Sequence, residues 1–372
     1  MTISESSIPS RPSVSTTAPG LFMLVLTLFM ALVMAACTPV AAPVAPGESS
    51  AESPAVSAPV DADGPLVIYS GRNENLVGPL IEQFQTDTGI QVEVRYGGTS
   101  EMAATILEEG ANSPADVFYG QDAGALGALS QAGRLAPLPA AVLDLVDGRF
   151  RSTQGDWIGA SGRARVLVYN TELVNEADLP GDVWGLTEAR WQGKVGWAPT
   201  NGSFQAFVTA MRVLEGEAQT QAWLEAMIAN GVQSFANNTA IVEATGRGEI
   251  EAGLVNHYYL LQFLAEQGES FPARNYFFPT ATAGAMINVA GAGVTNTTAH
   301  PQAAQSFLAY LISPSAQQYF ADQTNEYPLI PGITLNPILP PLADLITPAL
   351  DLADLEDLQG TLELLQDVGA ME

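Results

Sequence analysis

The sequence is poor in the residues on which most enzymes and many metal sites depend. Its 372 residues include one cysteine, Cys37, and two histidines. One cysteine cannot form a disulfide within the chain, and two histidines cannot supply a zinc site of three imidazoles. The chain also lacks a Gly-x-Ser-x-Gly elbow, a His-Glu-x-x-His motif, a P-loop and a dinucleotide-binding glycine fingerprint. These absences argue against an enzyme.

Basic residues are also scarce. There are 13 Lys and Arg against 40 Asp and Glu, and the formal net charge is −27. An acidic surface repels nucleic acid and anionic lipid headgroups, so no nucleic-acid partner is expected. The same charge is also typical of high solubility or adaptation to salt. An arginine inside a cleft of so acidic a protein therefore calls for a specific reason.

The N-terminal segment indicates export. A 16-residue apolar run, Leu21–Ala36, is shorter than the ~20 residues that span a bilayer, and it ends in small residues as a signal peptide does. The MAAC stretch that ends at Cys37 resembles a bacterial lipoprotein processing box. We therefore expect a signal peptide over 1–36 and a lipid on Cys37. The alternative is an uncleaved anchor helix, which also leaves the folded part outside the cytoplasm.

Residues 37–64 predict a tether and the rest predicts an α/β fold. The tether is mostly Pro, Ala, Ser and Val and cannot bury enough apolar surface to fold. After it, Pro65–Ser70 has the length of a buried strand, and Glu74–Asp87 has helical spacing of apolar residues. This β-α alternation continues along the chain and predicts mixed, mostly parallel sheets flanked by helices.

Two later segments carry separate predictions. Ala285–Val289 and Ala292–Thr295 are each predicted as a short strand. Leu350–Gln366 is acidic and amphipathic, which favours a helix packed on a lobe; a free tail is the alternative.

Several blocks, in this order and spacing, carry a resemblance to a known family. They are VIYSGRNE (Val67–Glu74), SPADVFYGQDAGALGAL (Ser113–Leu129), GASGRARVLVYN (Gly159–Asn170), GWAPTNGSFQ (Gly196–Gln205), FANNTAIVEATGRGEIEAGLVNHYYL (Phe235–Leu260), HPQAAQSFLAYLISPSAQQYF (His300–Phe320) and NEYPLIPG (Asn325–Gly332). Together they resemble the extracellular solute-binding proteins of bacterial ABC importers, specifically the ferric-iron-binding branch.

The resemblance implies a two-lobed periplasmic-binding-protein fold of type II, hinged around a central cleft. The implied lobes are 65–163 with 290–328, and 164–289 with 329–372. The implied function is capture of Fe³⁺, together with carbonate or another oxyanion, for delivery to an ABC permease and its ATPase. The protein is expected to be a monomer, lipid-anchored at the cell membrane and facing the periplasm or the cell exterior.

Tyr258 and Tyr259 are the principal candidate ligands. They follow a short apolar strand, GLVN, and open the next helix, which places them at the carboxyl end of a strand where open α/β sheets bind ligands. A highly charged cation nearby favours the phenolate form of a tyrosine. In the family, two successive tyrosines after a strand bind Fe³⁺. Without that resemblance, two aromatic rings stacking on an organic ligand remain the alternative.

Other positions depart from the family pattern. Asn73 stands where many relatives have a ligating histidine, and the neighbouring Glu74 offers a carboxylate or simply begins a helix. Gln121 stands where some relatives have a ligating glutamate and is followed by Asp122. Phe204 replaces a tyrosine. We therefore expect two secure protein ligands, with further donors from an anion and water.

Arginines and helix termini predict the place of that anion. Arg163 and Arg165 lie two apart where a strand begins, so both share one face. Guanidinium groups bind oxyanions through paired hydrogen bonds, and helix N-termini present free N–H groups. A surface or inter-lobe salt bridge is the alternative for each arginine. The remaining candidates for the anion site are Arg72, Asn201, Gly202, Ser203, Asn238 and Asn256.

Two other functions stay open. The same fold can import a small organic solute, such as a polyamine, a phosphonate or an organic anion, with Glu74 and Asp122 suited to a polyamine. It can also serve a sensor or chaperone lipoprotein that takes no part in transport.

Overall fold

A computed structural model of the protein describes residues 64–371. The predicted signal peptide, Cys37 and nearly all of the tether lie outside the described residues. Within 64–371, no helix combines the length and apolar character that a membrane crossing requires.

Strands and helices alternate through most of the described chain. The strands are β1 (Leu66–Ser70), β2 (Val92–Tyr96), β3 (Val117–Gly120), β4 (Trp157–Asn170), β5 (Val195–Trp197), β6 (Gln233–Ser234), β7 (Ala252–Asn256), β8 (Ala273–Tyr276) and β9 (Ile287–Val294). The α-helices are α1 (Glu74–Thr88), α2 (Thr99–Glu109), α3 (Ala123–Gln131), α4 (Ala140–Leu143), α5 (Gly202–Glu215), α6 (Glu217–Ala229), α7 (Asn238–Gly246), α8 (Tyr258–Gln267), α9 (Pro301–Leu311), α10 (Pro314–Tyr319) and α11 (Leu358–Asp367).

The long strand β4 joins two halves of the sheet. The strand order is β2-β1-β3-β9-β4-β7-β5-β6, with β8 also paired to β4. The first half of β4 pairs with β9 as far as Ala164 opposite Ile287, and the second half pairs with β7 from Arg165 opposite Asn256. We call the β1, β2, β3 and β9 side the first lobe and the β5, β6, β7 and β8 side the second lobe. The chain thus crosses between lobes near residue 164.

The sheets are mixed, and this confirms the predicted α/β class. Every antiparallel pairing in the described sheets involves β4 or β9, whereas β1, β2 and β3 pair in parallel and so do β5, β6 and β7. Parallel strands require helical crossovers, which the intervening helices supply. Within each lobe, the strands other than β4, β8 and β9 are therefore parallel.

The prediction of two strands over 285–295 was wrong, because β9 is continuous. Its small residues do not interrupt pairing but allow close approach of β4. A Cβ on Gly291 would lie 2.6 Å from the Ile158 carbonyl oxygen, a distance that only glycine permits. Burial on both faces removes the alternation that marks a half-exposed strand.

The C-terminal segment forms two short helices rather than one. A 3₁₀ helix, Leu352–Glu356, precedes α11, and Asp357 caps α11 by accepting a hydrogen bond from the Gly360 N–H at 3.0 Å. The 3₁₀ helix lies against α3 of the first lobe, while α11 packs on α5 of the second lobe. This segment therefore touches both lobes, whereas the family resemblance implied that it belongs to the second.

Candidate ligand-binding cleft

A cleft of about 850 Å³ lies between the two lobes. The first lobe contributes residues of α2 and α3, and the second contributes the start of α5 and the start of α8. Residues 355–362 of the C-terminal segment close one side. The cleft is thus bounded by separate parts of the chain that the crossing strands bring together.

Tyr258 and Tyr259 both line this cleft at the end of β7. Their ring centroids are 4.4 Å apart with an interplanar angle of 28°, so the rings stack. Tyr258 is 7% exposed and Tyr259 is half-buried. The structure therefore places the pair where the strand–helix pattern predicted.

Burial keeps the Tyr258 phenol neutral in the absence of a ligand. Loss of solvent contact, and then the neighbouring Tyr259, raise the pKa of Tyr258 above its ordinary value, while Arg163 acts in the opposite direction. A cation bound at the two hydroxyls would reverse this preference and favour the phenolate. The pair is therefore suited to a highly charged cation that displaces protons.

Arg163 connects β4 to the first-lobe wall of the cleft. Its Nη2 donates a hydrogen bond to the backbone carbonyl of Gln121, and its side chain is 3% exposed. Gln121 and Asp122 both line the cleft, and Asp122 also caps α3 by accepting from the Ala125 N–H at 3.3 Å. These residues thus meet at the cleft as the sequence predicted.

Arg165 is buried on the second-lobe side. Its Nη2 donates to the Leu254 carbonyl at 3.0 Å and its Nη1 lies 3.5 Å from Ser203 Oγ. The guanidinium also lies 5.6 Å and 5.2 Å from the ring centres of Phe204 and Phe207. Burial lowers the pKa of Arg165 to about 9, against the opposing effect of Tyr259. Phe204, where a tyrosine was expected in relatives, packs in the core beside this guanidinium.

Neither Arg163 nor Arg165 lies within 4 Å of a carboxylate in the described part of the chain. The Nε of each is also buried without a hydrogen-bond partner there. A buried cation without a nearby anion is costly, because its hydration is lost without replacement. The salt bridges that the sequence left open as an alternative are therefore not formed. The positive charge of the two arginines favours binding of an anion at this site.

A network of short polar side chains surrounds the N-terminus of α5. Asn201 Oδ1 accepts from the Ser203 N–H at 3.1 Å and from Ser203 Oγ at 2.6 Å. Asn238 Nδ2 donates to Asn201 Oδ1 at 3.0 Å, and Asn238 Oδ1 accepts from the Asn256 N–H at 3.2 Å. Gly202 lines the cleft beside them, with open space around its Cα. The first-turn N–H groups of α5 thus lie at the cleft wall.

A small cavity of about 10 Å³ connects this network to the arginines. Its lining includes Arg163, Arg165, Ser203 and Asn256. It also includes Asn288, which sequence reasoning missed. Asn288 lies opposite Arg163 on β9, and its Oδ1 accepts from the Ala123 N–H at 3.3 Å. Nothing in the local sequence distinguishes this asparagine, because its position depends on the pairing of β9 with β4.

Six predicted site residues are not part of the cleft lining: Arg165, Asn238 and Asn256, already described, and Arg72, Asn73 and Glu74. Asn73 caps α1 by accepting from the Asn75 N–H at 2.9 Å, and Glu74 is exposed at the start of that helix. Arg72 is 1% exposed and forms an ion pair with Glu326. Its Nε has no hydrogen-bond partner in the described residues, but its charge is already paired with a carboxylate, which distinguishes it from Arg163 and Arg165. Glu326 was not predicted, since its partner is distant in sequence.

The donor set at the cleft is made of oxygen atoms. Within 64–371, no group of three or more His, Cys, Asp and Glu converges on a point where a metal ion would fit. Phenolate oxygens suit a hard, highly charged cation.

A two-lobed α/β fold with a cleft at the lobe interface is typical of proteins that bind a small ligand by enclosing it. Comparison with known proteins gives the family. Residues 79–343 match the bacterial extracellular solute-binding proteins, and the chain belongs to that family.

Two relatives are similar in sequence over most of the chain. An Fe(3+)-binding periplasmic protein of Serratia marcescens is 35% identical over 83% of this chain and 92% of its own length. The major ferric iron-binding protein of Neisseria meningitidis is 33% identical over 82% of this chain and 92% of its own. These relatives are binding proteins.

Two solved structures are also similar to this chain. Iron-bound HitA from Pseudomonas aeruginosa is 38% identical, with a TM-score of 0.75 over 82% of this chain and 99% of that one. A Trichodesmium protein solved with iron and citrate is 28% identical, with a TM-score of 0.73 over 82% of this chain and 99% of its own. The similarity confirms the predicted resemblance and the two-lobed fold.

Proposed function

We propose that this protein captures ferric iron in the cleft and passes it to an ABC permease driven by its ATPase. The observation that carries the proposal is the stacked pair Tyr258 and Tyr259, which faces the cleft close to two buried arginines without carboxylate partners. The names of the relatives, which bind ferric iron, support the same cargo.

The ligand set follows from the chemistry of the cleft. Tyr258 and Tyr259 would bind Fe³⁺ as phenolates. Carbonate or a similar oxyanion would bind between the metal and the cations Arg163 and Arg165, with the N–H of Gly202 at the start of α5 as a further donor. Such an anion supplies both the missing iron donors and the missing counter-charge. Glu74 is exposed and outside the cleft lining, so of the two predicted carboxylates only Asp122 lines the wall, together with Glu101 and Glu356.

Export and anchoring form part of the proposal. The relative from Serratia marcescens is named as a periplasmic protein. The N-terminal apolar run followed by Cys37 has the pattern of a lipoprotein leader. A lipid on Cys37 with a tether to residue 64 would keep the folded part near the membrane and its permease. The protein would work there as a monomer, without catalysis.

The test is the visible spectrum of the purified protein after addition of Fe³⁺ with bicarbonate. Iron–phenolate bonds produce a strong charge-transfer colour, so a coloured complex and a rise in Tm are expected. Tyr258→Phe and Tyr259→Phe should each remove most of the colour. Tyr276→Phe, on β8 and outside the cleft lining, is the matched control and should keep it. A colourless wild-type protein with no thermal shift would exclude iron as the cargo.

An organic anion is the second candidate ligand. The two buried arginines favour a carboxylate or phosphonate. They disfavour a polyamine, because a polyamine is cationic like the arginines. The stacked tyrosines would then contact the organic part. An organic anion that raises Tm in the absence of iron, with no colour when iron is added, would favour this function.

A further inference from the structure

His257 lies between β7 and the tyrosine pair and is completely buried. Its Nδ1 is 3.1 Å from the Ala164 N–H, and its Nε2 is 2.9 Å from the Asn325 carbonyl oxygen. A backbone N–H can only donate and a carbonyl can only accept, so the ring is neutral with its proton on Nε2. Both ring nitrogens are therefore engaged by the backbone of two distant segments.

The first of these segments is the lobe crossing in β4. Ala164 is the last residue of β4 that pairs with β9, and the next residue pairs with β7. The backbone N–H of His257 also donates to the Ala164 carbonyl at 3.0 Å. Ring and backbone thus hold the same residue at the point where β4 leaves the first lobe.

The second segment also lies along β4. Asn325 has φ of 54° and is the one non-glycine residue of the described chain with a positive φ. Two residues later, Tyr327 exchanges backbone hydrogen bonds with Gly162 at 2.7 and 2.8 Å. Asparagine adopts this conformation more readily than most residues with a side chain, and here it ends the helical turn Phe320–Thr324.

The imidazole also contacts the first tyrosine of the pair. It meets Tyr258 edge-on, with ring centroids 5.7 Å apart and an angle of 88°. Its other face lies on Tyr327 at 4.6 Å. One ring therefore touches both segments at the hinge and a residue that lines the cleft.

We propose that His257 is a positioning residue that couples the placement of Tyr258 to the relative orientation of the two lobes. The inference rests on the proposed iron site. Hinge closure is absorbed by a few residues in loops or at element ends. Asn325 ends a helical turn, and Ala164 is the point where β4 passes from β9 to β7. Because the ring is bonded to both, rotation at the hinge moves Tyr258, and coordination at Tyr258 in turn favours one hinge orientation.

Two variants separate the two hydrogen bonds. His257→Asn keeps an acceptor near the Nδ1 position and loses the contact with Asn325. His257→Gln keeps an amide near the Nε2 position and loses the contact with Ala164. His300→Asn is the matched control, because His300 is bonded to Asp116 at 3.0 Å and does not line the cleft.

In the experiment, each full-length variant is loaded with Fe³⁺ and bicarbonate. The measurements are the charge-transfer colour, the rate of iron loss to a chelator, and the decrease in radius of gyration on loading by X-ray scattering. Both His257 variants should keep the colour, lose iron about tenfold faster and contract less than wild type. His300→Asn should lower only Tm.

Unchanged iron loss and contraction in both His257 variants would overturn the inference, even if their Tm falls. A wild-type protein without colour would instead refute the proposed iron site, so the two failures are distinct. If neither variant folds, Tyr327→Leu removes the ring packed against the imidazole, so that the imidazole is held less firmly against Ala164 and Asn325. It should also release iron faster, and a wild-type rate there would overturn the inference.

Discussion

Arg72 and Glu326 are 254 residues apart in the chain and form a bidentate ion pair. Nη1 lies 3.0 Å from Oε1, and Nη2 lies 2.9 Å from Oε2. Ser161 Oγ donates a further hydrogen bond to Oε2 at 2.7 Å. Because Arg72 follows β1 and Glu326 follows Asn325, the pair joins the first lobe to the segment that runs beside the crossing strand.

The ion pair makes Glu326 important for stability. Glu326→Gln should reduce the free energy of unfolding by about 3–5 kcal/mol, since it leaves the buried Arg72 charge without its counter-ion. Chemical denaturation measures the loss. Glu109→Gln is the control, because its partner Arg95 is half exposed and such pairs contribute about 0–1 kcal/mol. Equal losses in the two variants would contradict the prediction.

Stability should fall on acidification, and His257 should act first. Burial lowers the pKa of His257 from 6.5 to about 4, so the folded state favours the neutral ring. Its contribution to stability is complete above pH 6.5 and declines as the pH falls towards 4, because the unfolded chain binds the proton more readily. Urea titrations between pH 4 and 7.5 measure the slope. His257→Gln should flatten it, and an unchanged slope would show that other groups are responsible.

Glu326 should act below that range and in the same direction. Burial raises the pKa of its carboxyl, but Arg72 and Arg163 outweigh burial and hold the pKa below its ordinary value. The stability from the charged form is therefore present above about pH 4.5 and is lost as the pH falls through the folded-state pKa. In Glu326→Gln the acid loss of stability below pH 4.5 should be smaller than in wild type. An equal acid loss would contradict this assignment.

Arg165 should lower the stability of the ligand-free protein while it strengthens anion binding. Arg165→Met removes a buried charge without a carboxylate partner, so the free energy of unfolding without ligand should rise by about 1 kcal/mol. Iron loss at low bicarbonate should become about tenfold faster, and less so at high bicarbonate. Arg190→Met, at an exposed position, is the control. A less stable variant with normal iron retention would refute both parts.

Gly127 should be required for the C-terminal segment to pack on α3. A Cβ there would lie 2.5 Å from the Ala353 carbonyl oxygen. Helix propensity favours Gly127→Ala by about 1 kcal/mol, but displacement of the segment costs about 1–3 kcal/mol. We expect a net loss of stability in denaturant titrations. Gly148→Ala, with nothing within 4 Å of its added Cβ, is the control, and a stabilised Gly127→Ala would disprove the close contact.

Cys37 should determine where the protein is found in the cell. Cys37→Ser removes the only thiol that can carry a lipid, so the protein should move from the membrane fraction to the soluble exported fraction. Cell fractionation with labelled fatty acid measures both location and acylation. Retention of the variant in the membrane would favour the uncleaved anchor helix.

Local pattern was enough to predict the fold class and the position of Tyr258 and Tyr259 at the end of a strand, whereas their role as iron ligands was implied only by the family resemblance. Apolar runs separated by helical spacing indicate β-α units wherever the neighbouring elements agree with them, as at β1 and α1. Tyr258 and Tyr259 could be placed because a strand followed directly by a helix puts its first helical residues at the sheet edge. These inferences depend on neighbours in the sequence, so one chain was sufficient.

Only the tertiary structure decided how the polar groups pair. Glu326, His257 and Asn288 find their partners in distant segments, and no local spacing marks such contacts. The same holds for Arg72, whose charge is neutralised by Glu326. It also holds for Arg163, because only the folded structure shows that it is buried without a carboxylate partner. Hydrogen bonds and ion pairs are short-ranged, so their assignment requires the packed arrangement of β4, β9 and the segments that cross between the lobes.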